Sequence, residues 1–218
     1  MLSGTRDLPP ASRIVTEFRH ERRRPRQIRN AGGLAPEGPL RPRIHDALEF
    51  VSVAGSSRAI VLIGPAGTGK TTVGHALASE LGARFVDGDD LHTPASIAKM
   101  SRAEPLNDED RAPWLDRVRA RCLEALAAGE TVVAACSALR RAYRERLAQQ
   151  DPRFVFVCLN VPPDVLAQRL AERRGHFAGP DLLSSQLAAF ERPDDALAVD
   201  GRMSVGEQVT FIRAALRL

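Results

Sequence analysis

The chain has 218 residues, 44% hydrophobic and 27% charged, which fits one globular domain of moderate size or one domain with an appendage. No apolar run approaches the ~20 residues of a membrane span, and collagen, coiled coil and bulk disorder all fail on composition. Net charge is +4, yet residues 1–57 hold ten arginines, no lysine and six acids while the rest holds 21 bases and 21 acids, so the body is neutral and carries no nucleic-acid footprint.

Residues 1–57 read as an N-terminal extension rich in Arg and Pro. Six prolines between Pro9 and Pro42, the pair Gly32-Gly33 and the cluster Arg22-Arg23-Arg24 interrupt any apolar period, which predicts a poorly ordered segment. A basic tail for RNA or an acidic surface is the functional alternative. From Arg58 onward, residues 58–218 form a domain of alternating strands and helices. Ala59-Ile60-Val61-Leu62-Ile63 is a continuous apolar run of the kind buried in parallel sheets. A helix follows from Lys70 to about Leu81, stopped by Gly82. Arg84-Phe85-Val86 is a second strand, residues 94–100 a short helix, and Asp108–Ala128 a longer helix with acids in its first turn. Thr131–Cys136 is the third strand, Leu139–Gln149 an arginine-rich helix, and Phe154–Val161 the fourth strand. A helix from Pro162-Pro163 to about Arg173, a loop Gly175–Pro180, a helix Asp181–Glu191, a strand Ala196–Val199 and a helix over 204–217 complete the chain. This alternation predicts an α/β fold: a five-stranded parallel sheet covered by helices on both faces.

Cys122, Cys136 and Cys158 are odd in number, widely spaced and set mostly in apolar runs. They form no CxxC pair, which argues against disulfides and zinc and for small buried residues. With no secretory signal, this reads as a reducing, cytoplasmic protein.

Gly64-Pro65-Ala66-Gly67-Thr68-Gly69-Lys70-Thr71 fits G-x-x-x-x-G-K-[ST] completely, with a strand before it and a helix after. Glycines let backbone N–H groups turn inward around phosphates, and the helix N-terminus aims positive charge at the same place. Lys70 is placed for the β- and γ-phosphates, and the Thr71 hydroxyl for Mg²⁺. The chain has only two lysines, Lys70 and Lys99, so a lysine kept in an arginine-rich sequence marks a need for a compact ammonium. The motif gives nucleotide binding, not a reaction.

Asp87-Gly88-Asp89-Asp90 ends the second strand, on the crevice side of an open parallel sheet. A turn at Gly88 brings both carboxylates toward the loop, one for a Mg²⁺ water and one for the proton of an attacking hydroxyl; a solvated acidic turn is the plainer alternative. His92 follows closely, with a structural loop histidine as its alternative. Ser137 and Arg140 follow the third strand, where they suit polyol hydroxyls or a carboxylate; an N-cap serine and a solvated helix start are the alternative. Arg169, Arg173, Arg174 and His176 lead into Gly175–Pro180, a candidate mobile lid over phosphates.

Together GPAGTGKTT (64–72), DGDDLH (87–92), IAKM (97–100), PLNDEDRAPWL (105–115), CSALRRAYR (136–144), RRGHF (173–177) and LLSSQLAAFERP (182–193) resemble the small bacterial-type gluconokinases, a family of P-loop small-molecule kinases. The resemblance covers residues 58–218, and its acceptor-side blocks differ from those of shikimate kinases. It implies the P-loop kinase fold with a mobile lid, ATP and Mg²⁺ as cofactors, and phosphorylation of D-gluconate on its 6-hydroxyl. It also allows a homodimer. By the same resemblance Gly64 to Thr72 hold ATP, with Lys70 and Asp89 catalytic. Thr71 and Asp87 serve the metal. Asp89, His92, Ser137 and Arg140 serve the sugar acid, and Arg173 contacts the nucleotide, with Arg174 as its competitor. Another small-molecule kinase, such as a shikimate kinase, and a non-catalytic nucleotide-binding module are the competing readings.

Overall fold

Every residue of strand β1 (Ala59–Ile63) is buried. A strand hides both faces only at the centre of a covered sheet. There β1 pairs in parallel with β3 (Val132–Ala135) on one side and β4 (Phe154–Asn160) on the other, Ala59 lying opposite both Val132 and Phe154. Outside them lie β2 (Arg84–Asp87) against β3 and β5 (Ala196–Asp200) against β4, giving the parallel order β2-β3-β1-β4-β5. The computed structural model describes residues 57–102, 104–172 and 180–218. The expectations for the extension, for Arg173 and Arg174 and for a lid lie outside those residues.

Alternate residues of β1 serve two layers. Ala59, Val61 and Ile63 face α3 (Asp108–Ala127) and α4 (Arg141–Ala148) through Trp114, Leu115, Val118 and Leu147. Ile60 and Leu62 face α1 (Lys70–Leu81) and α7 (Val205–Leu216) through Val73, Leu77, Val209 and Ile212. Helices α2 (Pro94–Ser101), α5 (Pro163–Glu172) and α6 (Pro180–Ala189) complete the order. The three cysteines are buried and unpaired; burial pushes Cys122 and Cys136 up to about 12 and Cys158 to about 11, so none is a reactive thiolate.

Helix starts follow the sequence chemistry. Asn107 and Asp110 form a reciprocal capping box at α3, Ser204 and Glu207 do so at α7, and Thr93 caps α2 ahead of Pro94. Helix α1 is different: its N-cap is Gly69 in the left-handed region, and no side chain caps it. Its first N–H groups are left to another acceptor.

An ion pair with a buried guanidinium and a half-exposed carboxylate ties α4 to the chain before β5. The Arg144 side chain is 2% exposed and donates from Nε to both Asp195 carboxylate oxygens, at 3.0 and 3.2 Å. Asp195→Ala strands that guanidinium and is expected to cost about 3 kcal/mol in urea unfolding. Arg144→Met, which leaves the more exposed partner in water, is expected to cost less; the reverse order would mean the carboxylate, not the guanidinium, carries the burial penalty.

Candidate active site

The loop between β1 and α1 turns at Gly64, Gly67 and Gly69, with φ of 138°, 83° and 95°, angles that side-chain-bearing residues rarely adopt. The Gly64 N–H donates to the Ser137 carbonyl at 3.2 Å, which fastens the loop to the end of β3. Buried Thr68 donates its hydroxyl to the Pro65 carbonyl at 3.0 Å. The Lys70 ammonium donates to the Gly64 and Pro65 carbonyls, both at 2.9 Å, so it closes over the loop's own backbone. Two side chains reach in from distant sequence. Gln186 of α6 accepts the Ala66 N–H at 2.6 Å. Arg169 of α5 donates to the Gly67 carbonyl at 3.4 Å and the Gly201 carbonyl at 2.9 Å. Arg169, grouped in the sequence with a lid, thus braces the loop against the end of β5.

Beside the loop, the Asp87 carboxylate accepts the Thr71 hydroxyl at 3.1 Å on one oxygen and the Asp89 N–H at 3.0 Å on the other. The second bond curls the chain into a 3-10 turn, Asp89–Leu91, which the sequence pattern did not indicate. Gly88 fixes the position of this turn. Its N–H donates to the Ala135 carbonyl at 2.8 Å and its carbonyl accepts Trp114 Nε1 at 2.6 Å. A Cβ here would lie 2.6 Å from that Ala135 oxygen, so only glycine fits. The turn therefore separates the two carboxylates: Asp87 faces Thr71, while Asp89 acts electrostatically on His92 and on Cys136, which also feels Lys70.

His92 stacks on Trp114, with ring centroids 4.4 Å apart and planes 10° apart. Burial is the main cause lowering its pKa; Asp89 opposes this and Arg111 adds to it. Its Nδ1 is buried with no hydrogen-bond partner among the described residues. A neutral ring with an unmatched polar atom suits a ligand hydroxyl.

Past His92 lies a cluster of two guanidiniums and a phenol. Arg140 Nη1 donates to both oxygens of Asp108, each at 3.0 Å, and Tyr143 donates its hydroxyl to the same carboxylate. Arg111 Nη1 donates to the Tyr143 oxygen at 3.3 Å. Burial and the Asp108 carboxylate push the Tyr143 phenol up, so it remains a donor. Arg111, Arg140, Asp108 and Asn107 help line a cavity of about 420 Å³. Ser137 is half-buried before Ala138, whose φ is +35°. It does not cap α4: the N-cap there is Arg140, without a side-chain bond.

Residues 60–193 match the family described as AAA domain. A gluconokinase of Gluconobacter oxydans (strain 621H) is 48% identical over 138 residues, 63% of this chain and 78% of that protein. The chain belongs to the gluconokinase family. A crystal structure of a family member, a gluconokinase from Sinorhizobium meliloti 1021, is 41% identical with a TM-score of 0.66, covering 73% of this chain and 91% of that one. With a shikimate kinase from Acinetobacter baumannii the likeness is one of fold: 22% identity and a TM-score of 0.52, over 75% and 95% of the two chains. Membership carries nucleotide binding and a small-molecule substrate with it, and among the described residues no helix is long and apolar enough to cross a membrane.

The structure brings Lys70, Thr71, Asp87, Asp89 and His92 to one crevice edge, and Ser137 and Arg140 to the loop after β3. Thr72 sits exposed in the first turn of α1. Sequence reasoning gave no role to Arg111, Trp114, Tyr143 or Gln186. The first three sit inside family-like blocks, PLNDEDRAPWL and CSALRRAYR, where helix periodicity accounted for them. Gln186 also sits inside a family-like block, LLSSQLAAFERP, but nothing local points to its partner, 120 positions away. Gly88→Ala is expected to cost about 1–3 kcal/mol in urea unfolding, as overpacking against a backbone carbonyl does. An unchanged midpoint would show that the turn yields freely and does not fix the acidic pair.

Proposed function

We propose that this protein transfers the terminal phosphoryl group of ATP to the 6-hydroxyl of D-gluconate, giving 6-phospho-D-gluconate and ADP. The observation that carries the reading is an order of groups: Lys70 and the open N-terminus of α1, then Asp87 and Asp89, then His92, then Arg111 and Arg140. That order suits an acceptor with an alcohol at one end and a carboxylate at the other.

The loop Gly64 to Thr72 and the Lys70 ammonium hold the triphosphate, Lys70 exchanging its loop carbonyls for phosphate oxygens. Arg173 is assigned to the nucleotide on the family pattern. Thr71 and Asp87 fit Mg²⁺: one hydroxyl and one carboxylate, 3.1 Å apart beside the phosphate seat, match an ion that takes few protein oxygens and keeps several waters. When bound, Mg²⁺ neutralises charge on the β- and γ-phosphates. Asp89 orients the acceptor and takes its proton. The O6–phosphorus bond forms as the bond from phosphorus to the bridging oxygen breaks, and that electron pair leaves with ADP. His92 Nδ1 and the Ser137 hydroxyl serve the polyol hydroxyls, and Arg140 the acid end. Most of the acceleration comes from positioning and charge neutralisation, because the transition state is largely dissociative. This reading places the enzyme in the cytoplasm.

Acceptor-dependent ADP release tests the proposal. Gluconate should support turnover and shikimate should not; equal rates with both acids, or with neither, would overturn it. Lys70→Ala should lose activity by orders of magnitude while the chain stays folded. Asp89→Asn should lower kcat by roughly 10²–10⁴-fold with little change in the KM for ATP. We read residues 1–57 as an appendage to the catalytic body, so deletion of residues 1–43 should leave the kinetic constants nearly unchanged. A collapse in activity or folding would show that the segment is part of the body.

A further inference from the structure

The cluster beyond His92 contains a carboxylate where an acid substrate would put its own. Asp108 opens α3, and its side chain is 64% exposed, yet it receives both bonds from Arg140 Nη1 and the Tyr143 hydroxyl. Arg111 stands 4.0 Å from the same carboxylate. The guanidinium carbons of Arg111 and Arg140 lie 5.8 and 5.7 Å from the centre of the Tyr143 ring, so both cations are gathered around one phenol. These cations are less exposed than the acid they face: 25% for the Arg111 side chain and 39% for Arg140. The seat is thus the more fixed part, and its occupant is the part nearest water.

We propose that Asp108 is a resident surrogate for the substrate carboxylate: it occupies the seat formed by Arg111, Arg140 and Tyr143, and a sugar acid displaces it. This rests on the gluconate reading above and deepens it by naming the acid subsite and its internal competitor. Three observations support it. Asp108 is 64% exposed, so on leaving it exchanges its partners for water, which an exposed ion pair does at small cost. Arginine presents its N–H donors in a planar fork matched to carboxylates, and among the described residues the Arg111 side chain makes one long bond, 3.3 Å to Tyr143, which leaves most of its donors for a ligand. The seat also borders the ring that senses both ends of the site, since Asp89 and Arg111 act on His92 together. Glu109 lines the same cavity but makes no bond to either guanidinium among the described residues, and Asp110 is taken by Lys99 at 2.7 Å. Asp108 is therefore the acid in competition.

The surrogate role predicts the sign of a substitution. An ordinary brace for Arg140 and Tyr143 would weaken substrate binding when removed; a competitor would strengthen it. Asp108→Asn keeps the shape, and Asp108→Ser serves if that variant folds poorly, because both residues suit a helix start. Steady-state kinetics of the full chain with gluconate and Mg-ATP should show the KM for gluconate falling at least threefold in Asp108→Asn, with the KM for ATP unchanged. Arg111→Gln should raise the KM for gluconate tenfold or more, again without moving that for ATP. In the Arg111→Gln background, the gain from Asp108→Asn should shrink. A KM for gluconate that rises or stays constant in both Asp108 variants would overturn the surrogate role, as would an Arg111→Gln enzyme with wild-type KM. Wild-type turnover on gluconate is read first: its absence would overturn the substrate reading and this inference together, whereas turnover with the wrong sign at Asp108 would overturn only the latter.

Discussion

The site depends on how one residue, Gly88, is held from two sides. The edge of β3 takes its N–H and the Trp114 indole takes its carbonyl. Both partners belong to the rigid part of the molecule, a buried strand and a buried helix face. The turn between them carries two carboxylates whose separation decides what each can do. Asp87 is drawn to Thr71 beside the phosphate loop, and Asp89 is left facing His92. Without the Ala135 carbonyl pressing on Gly88, nothing in this acidic sequence would distinguish one aspartate from the next. The same indole that clamps the turn also forms the floor under His92, so one tryptophan aligns the acidic and the imidazole components.

Much of this was legible beforehand because its signals are local. A five-residue apolar run reads as a central strand, and the acids of its first turn mark the start of α3. The phosphate loop is legible for the same reason, since glycine spacing encodes backbone angles directly. What was not legible depends on long-range closure. Gln186 reaching Ala66, Arg169 bridging Gly67 to Gly201 and Arg111 meeting Tyr143 bring together positions 120, 102 and 32 apart. No periodicity records such pairings. Arg111 was also hidden by its helix, where an arginine in the first turns looks like ordinary surface.

Charge is used in two ways in the body of the chain. On the outside, arginines are answered by nearby acids, as Arg146 is by Asp116 at 2.7 Å and Arg213 by Glu80 at 2.5 Å, and such exposed pairs add little stability. Toward the crevice the balance is looser. Among the described residues, Arg111 makes few bonds, His92 keeps an unmatched nitrogen, and the first amides of α1 have no capping side chain. A neutral body can thus present anion-seeking groups at the crevice without excess positive charge.

The scarcity of lysine has a practical consequence for chemical labelling. Of the two lysines in the chain, Lys99 is engaged by both oxygens of Asp110, while Lys70 closes over the phosphate loop. Apart from the chain's own amino terminus, an amine-selective reagent therefore has two addresses, and one of them is the phosphate seat. Peptide-level mass spectrometry would read occupancy of that seat from a single modified residue, with Lys99 in the same molecule as the internal standard.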